Sequence, residues 1–301
     1  MGKMFRGCGT ALVTPFAEDG SVDYAAYEGI VKRQVSEGVD FLVTLATTGE
    51  TPTLSAAEKR RLMTVTRECC GTLPLIAGVG SNSLEGTLEN IRTVCTPELP
   101  GLPPTSVPDA LLVVVPFYNK PTQEGLYLYF KAVAESSPLP VVIYNVPGRT
   151  GANILPSTVL RLAREEKKII GVKEASGSYS QACEILLGAP EDFRVLSGDD
   201  DLTFPMMASG ADGVISVASN VAPRVVSEMA KAALSGDFLK ARELHLKLFP
   251  LFKACFKESN PIPVKAALAL MGLCRPHPRL PLSKATEATF DLMSEVLKNL
   301  E

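Results

Sequence analysis

Lys173 is the residue of this 301-residue chain whose type and setting point most directly to chemistry. It lies inside the run Ile-Ile-Gly-Val-Lys-Glu-Ala at residues 169–175, which has the composition of a buried β-strand. Side chains alternate along a strand, so Lys173 points inward if Val172 faces the covering helices. An amine removed from water gives up its proton more readily, and a neutral amine forms a Schiff base with a carbonyl compound. A structural ion pair with Glu174 is the competing interpretation.

Two further candidates belong to the preceding strand pattern, at residues 141–146, and to the turn after it. Tyr144 is near the end of that run, where its hydroxyl could transfer protons beside Lys173 as a general acid and base. A core tyrosine with a satisfied hydroxyl is the alternative. Arg149 follows in a Gly-rich turn, where a fixed guanidinium could bind a substrate carboxylate through two hydrogen bonds. A solvated loop arginine is the alternative there.

Threonines and aspartates extend the candidate site at two other strand ends. Thr47 and Thr48 offer hydroxyl and backbone N–H groups to a carboxylate or a proton relay, although a simple Ser/Thr turn also fits. Residues 199–201 are consecutive aspartates, which could hold Mg²⁺ but more commonly cap a helix. Gly198, just before them, lets the backbone approach a ligand closely.

The elements that must position these residues alternate regularly. Eight short runs rich in Val, Ile and Leu, typical of parallel strands covered on both faces, occupy residues 10–14, 41–46, 75–80, 110–116, 141–146, 169–175, 194–198 and 213–219. Helical patterns lie between them at 23–37, 55–70, 84–94, 123–136, 157–166, 181–187 and 202–209. This order predicts an α/β fold, a (β/α)₈ TIM barrel, with its chemistry at the C-terminal strand ends. A doubly wound open sheet is the alternative, but the sequence lacks the glycine-rich fingerprint after its first strand.

The pattern also predicts how the chain is divided. Residues 1–222 should form the barrel, and residues 223–301 a C-terminal helical region with helices at 223–235, 238–256, 261–271 and 284–300. The segment 96–109 contains five prolines and is expected to be an irregular loop. An insertion without function explains it most simply, since loops vary readily.

Composition excludes several classes of protein. The chain has 30 Lys and Arg against 33 Asp and Glu, so it lacks the basic surface that nucleic acid or an anionic membrane requires. Apolar residues make up 46%, yet no apolar run approaches the roughly 18 residues of a membrane span. Seven cysteines without a C-x-x-C pair and only two histidines argue against a disulfide framework and a His-rich metal site. The first residues lack the apolar segment of a signal peptide, which favours the reducing cytoplasm.

Seven motifs, taken together, resemble the dihydrodipicolinate synthase/N-acetylneuraminate lyase family, the pyruvate-dependent class I aldolases. They are TTGE at 47–50, GVGSN at 78–82, PFYNKPTQEG at 116–125, YNVPGRTG at 144–151, GVKEA at 171–175, SGDD at 197–200 and GVISVASN at 213–220. One motif alone is weak, but seven in order at barrel spacing are specific. The resemblance implies a (β/α)₈ barrel with a helical C-terminal region, a homotetramer built as a dimer of dimers, and no metal or organic cofactor.

The same resemblance implies roles for the candidate catalytic residues. Lys173 matches the lysine that forms an imine with pyruvate, and Tyr144 matches the acid/base tyrosine. Thr47 matches a relay hydroxyl, and Thr48 the hydroxyl that holds the pyruvate carboxylate. Tyr118 matches a tyrosine that reaches into a neighbouring subunit's site and completes the proton relay.

Three other matches concern substrate binding and specificity. Gly198 and Ile215 match backbone positions beside pyruvate, and Arg149 matches the ligand for the carboxylate of L-aspartate 4-semialdehyde. Arg149 therefore favours the synthase branch over a lyase for N-acetylneuraminate or a 2-keto-3-deoxy sugar acid. Two readings from other classes stay open: a non-catalytic barrel that binds small acids, and a metal-dependent enzyme built on residues 199–201.

Two departures from the family pattern bear on function. Ala46 replaces the glycine that usually precedes TTGE, and its methyl group could crowd the turn. Positions that hold His, Glu and Tyr side chains in lysine-inhibited relatives here carry other residues, although Asn82 is retained; they are Ala56, Lys59, Gly86 and Phe117. Because a lysine at position 59 would repel a cationic amino acid, inhibition by lysine is expected to be weak or absent.

Overall fold

Eight parallel strands close into a barrel in which each strand pairs with the next and the eighth pairs with the first. This architecture comes from a computed structural model, which describes residues 4–96 and 106–300. The strands are β1 (Gly7–Ala11), β2 (Phe41–Thr44), β3 (Leu75–Gly78), β4 (Ala110–Val114), β5 (Val141–Asn145), β6 (Ile169–Glu174), β7 (Arg194–Ser197) and β8 (Gly213–Ser216). The predicted (β/α)₈ TIM barrel is confirmed.

Helices cover the barrel in the predicted order. They are α1 (Tyr24–Ser36), α2 (Ala56–Cys70), α3 (Leu84–Cys95), α4 (Gln123–Ser136), a single turn α5 (Pro147–Thr150), α6 (Pro156–Glu165), α7 (Tyr179–Gly188) and α8 (Thr203–Ala208). The C-terminal helices are α9 (Pro223–Leu234), α10 (Phe238–Ala254), α11 (Ile262–Leu270) and α12 (Glu287–Leu300). Helix α2 begins with a complete capping box between Ser55 and Glu58, because each side chain bonds the other's backbone N–H.

The first strand begins three residues before its predicted position. The apolar run at residues 10–14 suggested its place, but the strand begins at Gly7. Glycines occur there because neighbouring groups come too close for a side chain. A Cβ atom on Gly9 would lie 2.0 Å from the Phe41 ring, and one on Gly213 would lie 2.0 Å from the Gly7 carbonyl oxygen.

Side chains alternate between two apolar cores, as a barrel requires. One set fills the barrel interior and includes Phe41, Ile76, Leu112, Tyr144 and Ile215. The alternate positions pack outward against the helices and include Leu42, Leu75, Leu111, Ile143, Val172 and Val195. Val172 faces the helices, so its neighbour Lys173 points into the barrel.

The C-terminal helices α9 to α12 form a helical tail, in which α9 packs against β1 and β8 of the barrel. Arg33 on α1 donates hydrogen bonds to the carbonyl groups of Asn220 and Val221, at 2.8 Å each, and so fixes the turn between β8 and α9. The division at residue 222 stays a prediction. Residues 97–105, most of the proline-rich segment, lie outside the described residues. None of the helices described is both long and apolar enough to cross a membrane.

Candidate active site

Lys173 on β6 and Tyr144 on the neighbouring strand β5 form the centre of the candidate site. The two residues pair directly across the ladder. Both side chains are buried, with 3% and 6% exposure. The Lys173 Nζ lies 4.2 Å from the centre of the Tyr144 ring. The strand register thus brings an amine and a phenol together near the C-terminal end of the barrel.

Lys173 does not form the ion pair that was its alternative explanation. Among residues 4–96 and 106–300, no carboxylate lies within 4.0 Å of its Nζ. The neighbouring Glu174 carboxylate accepts hydrogen bonds from Asn145, Gln181 and the Ser176 N–H, at 2.8–3.3 Å. Glu174 therefore locks β5 to β6 from the outer face, while Lys173 stays available to a ligand.

Gly198 lies directly against the Lys173 side chain. A Cβ atom at position 198 would be 2.9 Å from the Lys173 Cε and 2.7 Å from the Ala175 Cβ, closer than side chains normally come. The Gly198 N–H donates to the Glu174 carbonyl oxygen at 2.7 Å. Glycine at this position keeps the space around the amine open. Ile215, on β8, is buried in the same inner core as Tyr144.

Two of the three aspartates after Gly198 accept hydrogen bonds from backbone N–H groups. The buried Asp200 carboxylate accepts the N–H groups of Val217 and Ala218 at 3.0 and 2.9 Å. Asp199 accepts the Gly177 N–H, and its burial, followed by the nearby Asp201 charge, raises its pKa to about 6. Within the described part of the chain, no group of three or more His, Cys, Asp or Glu side chains is arranged to hold a metal ion.

Thr47 and Thr48 lie in a single turn of 3₁₀ helix, Thr47–Gly49, after β2. The Thr14 hydroxyl donates to the Gly49 carbonyl at 2.8 Å and ties the turn to the end of β1. Ala46, just before the turn, has an extended backbone with φ −90° and is buried in the inner core. Its methyl group therefore fits without backbone strain.

Asn260, a residue that the sequence patterns did not reveal, connects two candidate residues. Its side-chain Nδ2 donates to the Thr48 hydroxyl at 2.9 Å, and its backbone carbonyl accepts from the Arg149 guanidinium at 3.3 Å. Asn260 lies between α10 and α11, and in the sequence it is far from the end of every barrel strand. Its position before Pro261 in the helical tail gave no signal that it reaches the barrel mouth.

A buried ion pair secures the same turn from the C-terminal region. Lys265 on α11 donates to the Glu50 carboxylate and to the His277 carbonyl, and the Lys265 and Glu50 side chains are almost fully buried. The Arg279 N–H donates to the other Glu50 oxygen at 2.9 Å. Glu50 itself has a left-handed backbone with φ 53°. The turn that carries Thr47 and Thr48 is thus held in place by residues of the helical tail.

A cavity of about 350 Å³ opens at this end of the barrel. Thr47, Tyr144 and Arg149 line it, together with Leu112, Val146 and Gly78 from the barrel. This volume and a mostly apolar wall with a few convergent polar groups are typical of sites for small molecules. The cavity therefore brings together the Tyr144 phenol, the Thr47 hydroxyl and the Arg149 guanidinium, and the Lys173 amine lies against the Tyr144 ring.

Tyr118 is the one candidate that lies apart from the others. Its side chain is 88% exposed, and its backbone has φ 75°, a conformation that non-glycine residues rarely adopt. Asn119 anchors the same loop by donating to the Asn82 carbonyl at 2.7 Å. A strained loop thus presents the Tyr118 side chain to solvent.

Two of the positions that differ from lysine-inhibited relatives, Lys59 and Phe117, line the cavity. Lys59 lines it and donates to the Asn90 side chain at 3.0 Å, and burial lowers its pKa. A Cβ atom on Gly86 would lie 2.7 Å from the Ser81 hydroxyl, so the loop is packed for a glycine there. The exposed Phe117 also lines the cavity.

Comparison with known proteins agrees with this geometry. Residues 4–300 match the family model described as "Dihydrodipicolinate synthetase family". The 4-hydroxy-tetrahydrodipicolinate synthase of Thermotoga neapolitana is 48% identical over 299 residues, which cover 98% of each chain. The protein of the same name from Koribacter versatilis is 51% identical over 92% of this chain and 90% of its own.

A solved structure extends the similarity to the fold. The crystal structure of dihydrodipicolinate synthase from Thermotoga maritima superposes with a TM-score of 0.93, at 46% identity over 99% of both chains. The barrel, the helical tail and nearly every residue described above lie inside the matched region. The chain therefore belongs to the dihydrodipicolinate synthetase family.

Proposed function

We propose that this protein is a 4-hydroxy-tetrahydrodipicolinate synthase, a lyase that condenses pyruvate with L-aspartate 4-semialdehyde through a Schiff base on Lys173. The relatives named above carry this activity in their names, at 48% and 51% identity. The observation that supports it most directly is the buried Lys173 amine, 4.2 Å from the Tyr144 ring centre and without a carboxylate partner in the described residues.

In the first step, the Lys173 Nζ adds to the C2 carbonyl of pyruvate and water leaves. The product is a cationic imine, which withdraws electrons from the adjacent methyl group. The Tyr144 hydroxyl is proposed to move protons between the attacking nitrogen and the departing oxygen. The Thr48 hydroxyl and neighbouring backbone N–H groups are proposed to hold the pyruvate carboxylate, with Gly198 and Ile215 along its side.

In the second step, the imine loses a proton from C3 and becomes an enamine. This carbon attacks the aldehyde carbon of the semialdehyde, so a C–C bond forms and the aldehyde oxygen becomes a hydroxyl. The amino group of the semialdehyde then attacks the imine carbon and displaces Lys173, which closes the ring and restores the free enzyme. Only the water from imine formation leaves overall, so the reaction needs no oxidant or reductant.

Arg149 is proposed to select the second substrate. Its guanidinium lines the cavity and is steadied by the Asn260 carbonyl, and a planar guanidinium matches a carboxylate with two parallel hydrogen bonds. Binding the semialdehyde carboxylate there would hold the aldehyde carbon beside the enamine. This contact distinguishes the synthase from an aldolase that acts on sugar acids.

A homotetramer built as a dimer of dimers is part of the proposal. Tyr118 is proposed to enter the neighbouring subunit's site and to join Thr47 and Tyr144 in a proton relay. Its exposed side chain and strained loop support this role, because strain persists where function repays it. The reducing cytoplasm is the proposed location, supported by seven free thiols.

Borohydride trapping tests the proposal. The protein is incubated with pyruvate and sodium borohydride, digested, and mapped by mass spectrometry. We expect a reduced pyruvate adduct on Lys173 and none on the Lys173→Ala variant. A coupled assay with L-aspartate 4-semialdehyde then tests the second substrate. An adduct on Lys173 without condensation would support the Schiff-base chemistry but reject L-aspartate 4-semialdehyde as the second substrate. The lack of any adduct would reject both parts of the proposal.

A further inference from the structure

Asn260 contacts Thr48 and Arg149, the two residues that are proposed to bind the carboxylates of the substrates. Its side chain is 5% exposed and donates from Nδ2 to the Thr48 Oγ1 at 2.9 Å. Its backbone carbonyl accepts from Arg149 at 3.3 Å. The two contacts use different parts of the residue, so substitution of the side chain removes one and leaves the other.

The Asn260 contact determines what the Thr48 hydroxyl can do. A threonine hydroxyl has one hydrogen to donate and lone pairs that accept. An amide –NH₂ group only donates, so the contact occupies a lone pair of Thr48 and leaves its hydrogen free. Within residues 4–96 and 106–300, the Thr48 Oγ1 has no second hydrogen bond. A carboxylate only accepts hydrogen bonds, so it is the kind of ligand to which Thr48 can donate its free hydrogen.

The same orientation of the Asn260 amide determines the surroundings of its oxygen atom. The Asn260 Oδ1 is buried and has no hydrogen-bond partner among the described residues. Most buried polar atoms are satisfied, so an exception calls for a reason. Rotating the amide would pair Oδ1 with Thr48, but it would turn the hydroxyl hydrogen away from a ligand.

We propose that Asn260 is a positioning residue that fixes the Thr48 hydroxyl as a donor toward the carboxylate of the keto acid. The helical tail thereby contributes to keto-acid binding at the barrel mouth. The inference rests on the proposed function, which gives Thr48 its ligand. It adds a residue that acts through Thr48 and predicts which substrate is affected when that residue changes.

Pyruvate-dependent trapping of Lys173 measures the effect without the second substrate. With Asn260→Ala, we expect the pyruvate concentration for half-maximal trapping to rise roughly 3- to 10-fold, since the hydroxyl loses its direction. With Asn260→Asp, which can only accept from Thr48 and adds a negative charge, we expect a rise of roughly 10- to 100-fold. The KM for the semialdehyde should change less than about 3-fold in Asn260→Ala, because the carbonyl contact with Arg149 remains.

A double-mutant cycle separates positioning from general damage. Thr48→Val removes the hydroxyl and keeps the shape, so Asn260→Ala should then add less than about 2-fold. Independent effects that multiply would overturn the proposal, and so would an Asn260→Asp variant that binds pyruvate as the wild type does. Asn299→Asp, the same change on the exposed face of α12, serves as the control and should leave trapping unchanged.

Two further comparisons keep the outcome clear. Thermal unfolding reports whether each variant folds. If Asn260→Ala does not fold, Asn260→Asp, which preserves the size of the side chain, supplies the test. If the wild type fails to trap pyruvate, the proposed function itself is wrong. If the wild type traps pyruvate and Asn260→Ala does so at the same half-saturation, only the role of Asn260 is wrong.

Discussion

Lys173 and Tyr144 face each other across two neighbouring strands, with the amine nitrogen 4.2 Å from the centre of the phenol ring. Parallel pairing between β5 and β6 fixes this relationship, and the adjacent pair Asn145 and Glu174 reinforces it by hydrogen bonds on the outer face. The inner face of the two strands thus carries the proposed chemistry, and the outer face holds the strands in register.

Replacing Tyr144 by phenylalanine should reduce turnover while preserving the fold. The ring still fills the barrel core, but the hydroxyl that is proposed to move protons is lost. We expect kcat to fall roughly 10²- to 10⁴-fold, the usual contribution of a positioned acid/base group. Steady-state kinetics and thermal unfolding measure the two effects. Turnover within a factor of about two of the wild type would exclude Tyr144 from proton transfer.

Gly198→Ala should impair imine formation through contact with the amine's own side chain. The added methyl group would lie 2.9 Å from the Lys173 Cε, so the lysine must move. We expect the rate of pyruvate trapping to fall roughly 10- to 100-fold, because small displacements of a reacting group are costly.

Gly29→Ala is the matched control for that substitution. Gly29 is exposed on α1, and a Cβ atom there meets nothing within 4 Å. This variant should trap pyruvate normally and gain roughly 0.5–1 kcal/mol of stability from better helix propensity. Equal trapping rates for the two glycine variants would show that the Gly198 contact is unimportant.

Mixed oligomers test whether Tyr118 acts on the neighbouring subunit. Tyr118→Phe and Lys173→Ala subunits should each be poorly active alone, but a mixed dimer contains one site with a functional lysine and a functional partner tyrosine. Random pairing of equal amounts should restore about a quarter of wild-type activity, since half of the dimers are mixed and each has one intact site. Activity no greater than the average of the two parents would argue that Tyr118 works within its own chain.

The Glu58–Arg279 pair should make stability depend on pH in the acidic range. Hydrogen bonds from Arg279 are the main cause that lowers the Glu58 pKa from 4.5 to about 2. A carboxyl whose pKa is depressed by folding stabilises the protein above pH 4.5, and that contribution is lost as the pH falls toward 2.

Glu58→Gln removes this charge and retains a side chain that can cap α2. We expect the variant to be about 2 kcal/mol less stable at pH 7, allowing for partial exposure of the pair. Urea unfolding at pH 7 and at pH 3 measures the difference, which should narrow at the lower pH. A difference that stays constant between the two pH values would contradict the assignment.

Lysine should inhibit this protein weakly or not at all. Lys59 is one of the positions at which lysine-inhibited relatives carry other side chains, and its amine, which lines the cavity, would repel a second ammonium group. Steady-state assays with increasing L-lysine measure this, and Lys59→Gln should be the more sensitive protein. Half-inhibition of the wild type at physiological lysine concentrations would refute the prediction.

The sequence by itself determined the elements and most of the candidate residues. Continuous apolar runs between amphipathic segments predict a barrel because parallel strands are covered on both faces, and chemistry-bearing residues at the ends of those runs must then share one mouth. Alternation along β6 even predicted that Lys173 points inward, since Val172 packs against the helices. These features depend on local periodicity, which a single chain displays.

Tertiary structure alone decided which distant groups support the site. Asn260 and Lys265 belong to the helical tail, and neither follows a strand, so no periodicity links them to Thr48 or Glu50. The start of β1 could likewise not be predicted, because its glycines do not resemble a strand pattern. They are needed there because Phe41 and the neighbouring strand come too close for a larger residue. Contacts between residues far apart in the chain arise from how helices and strands pack together, and that packing is not encoded in any local pattern.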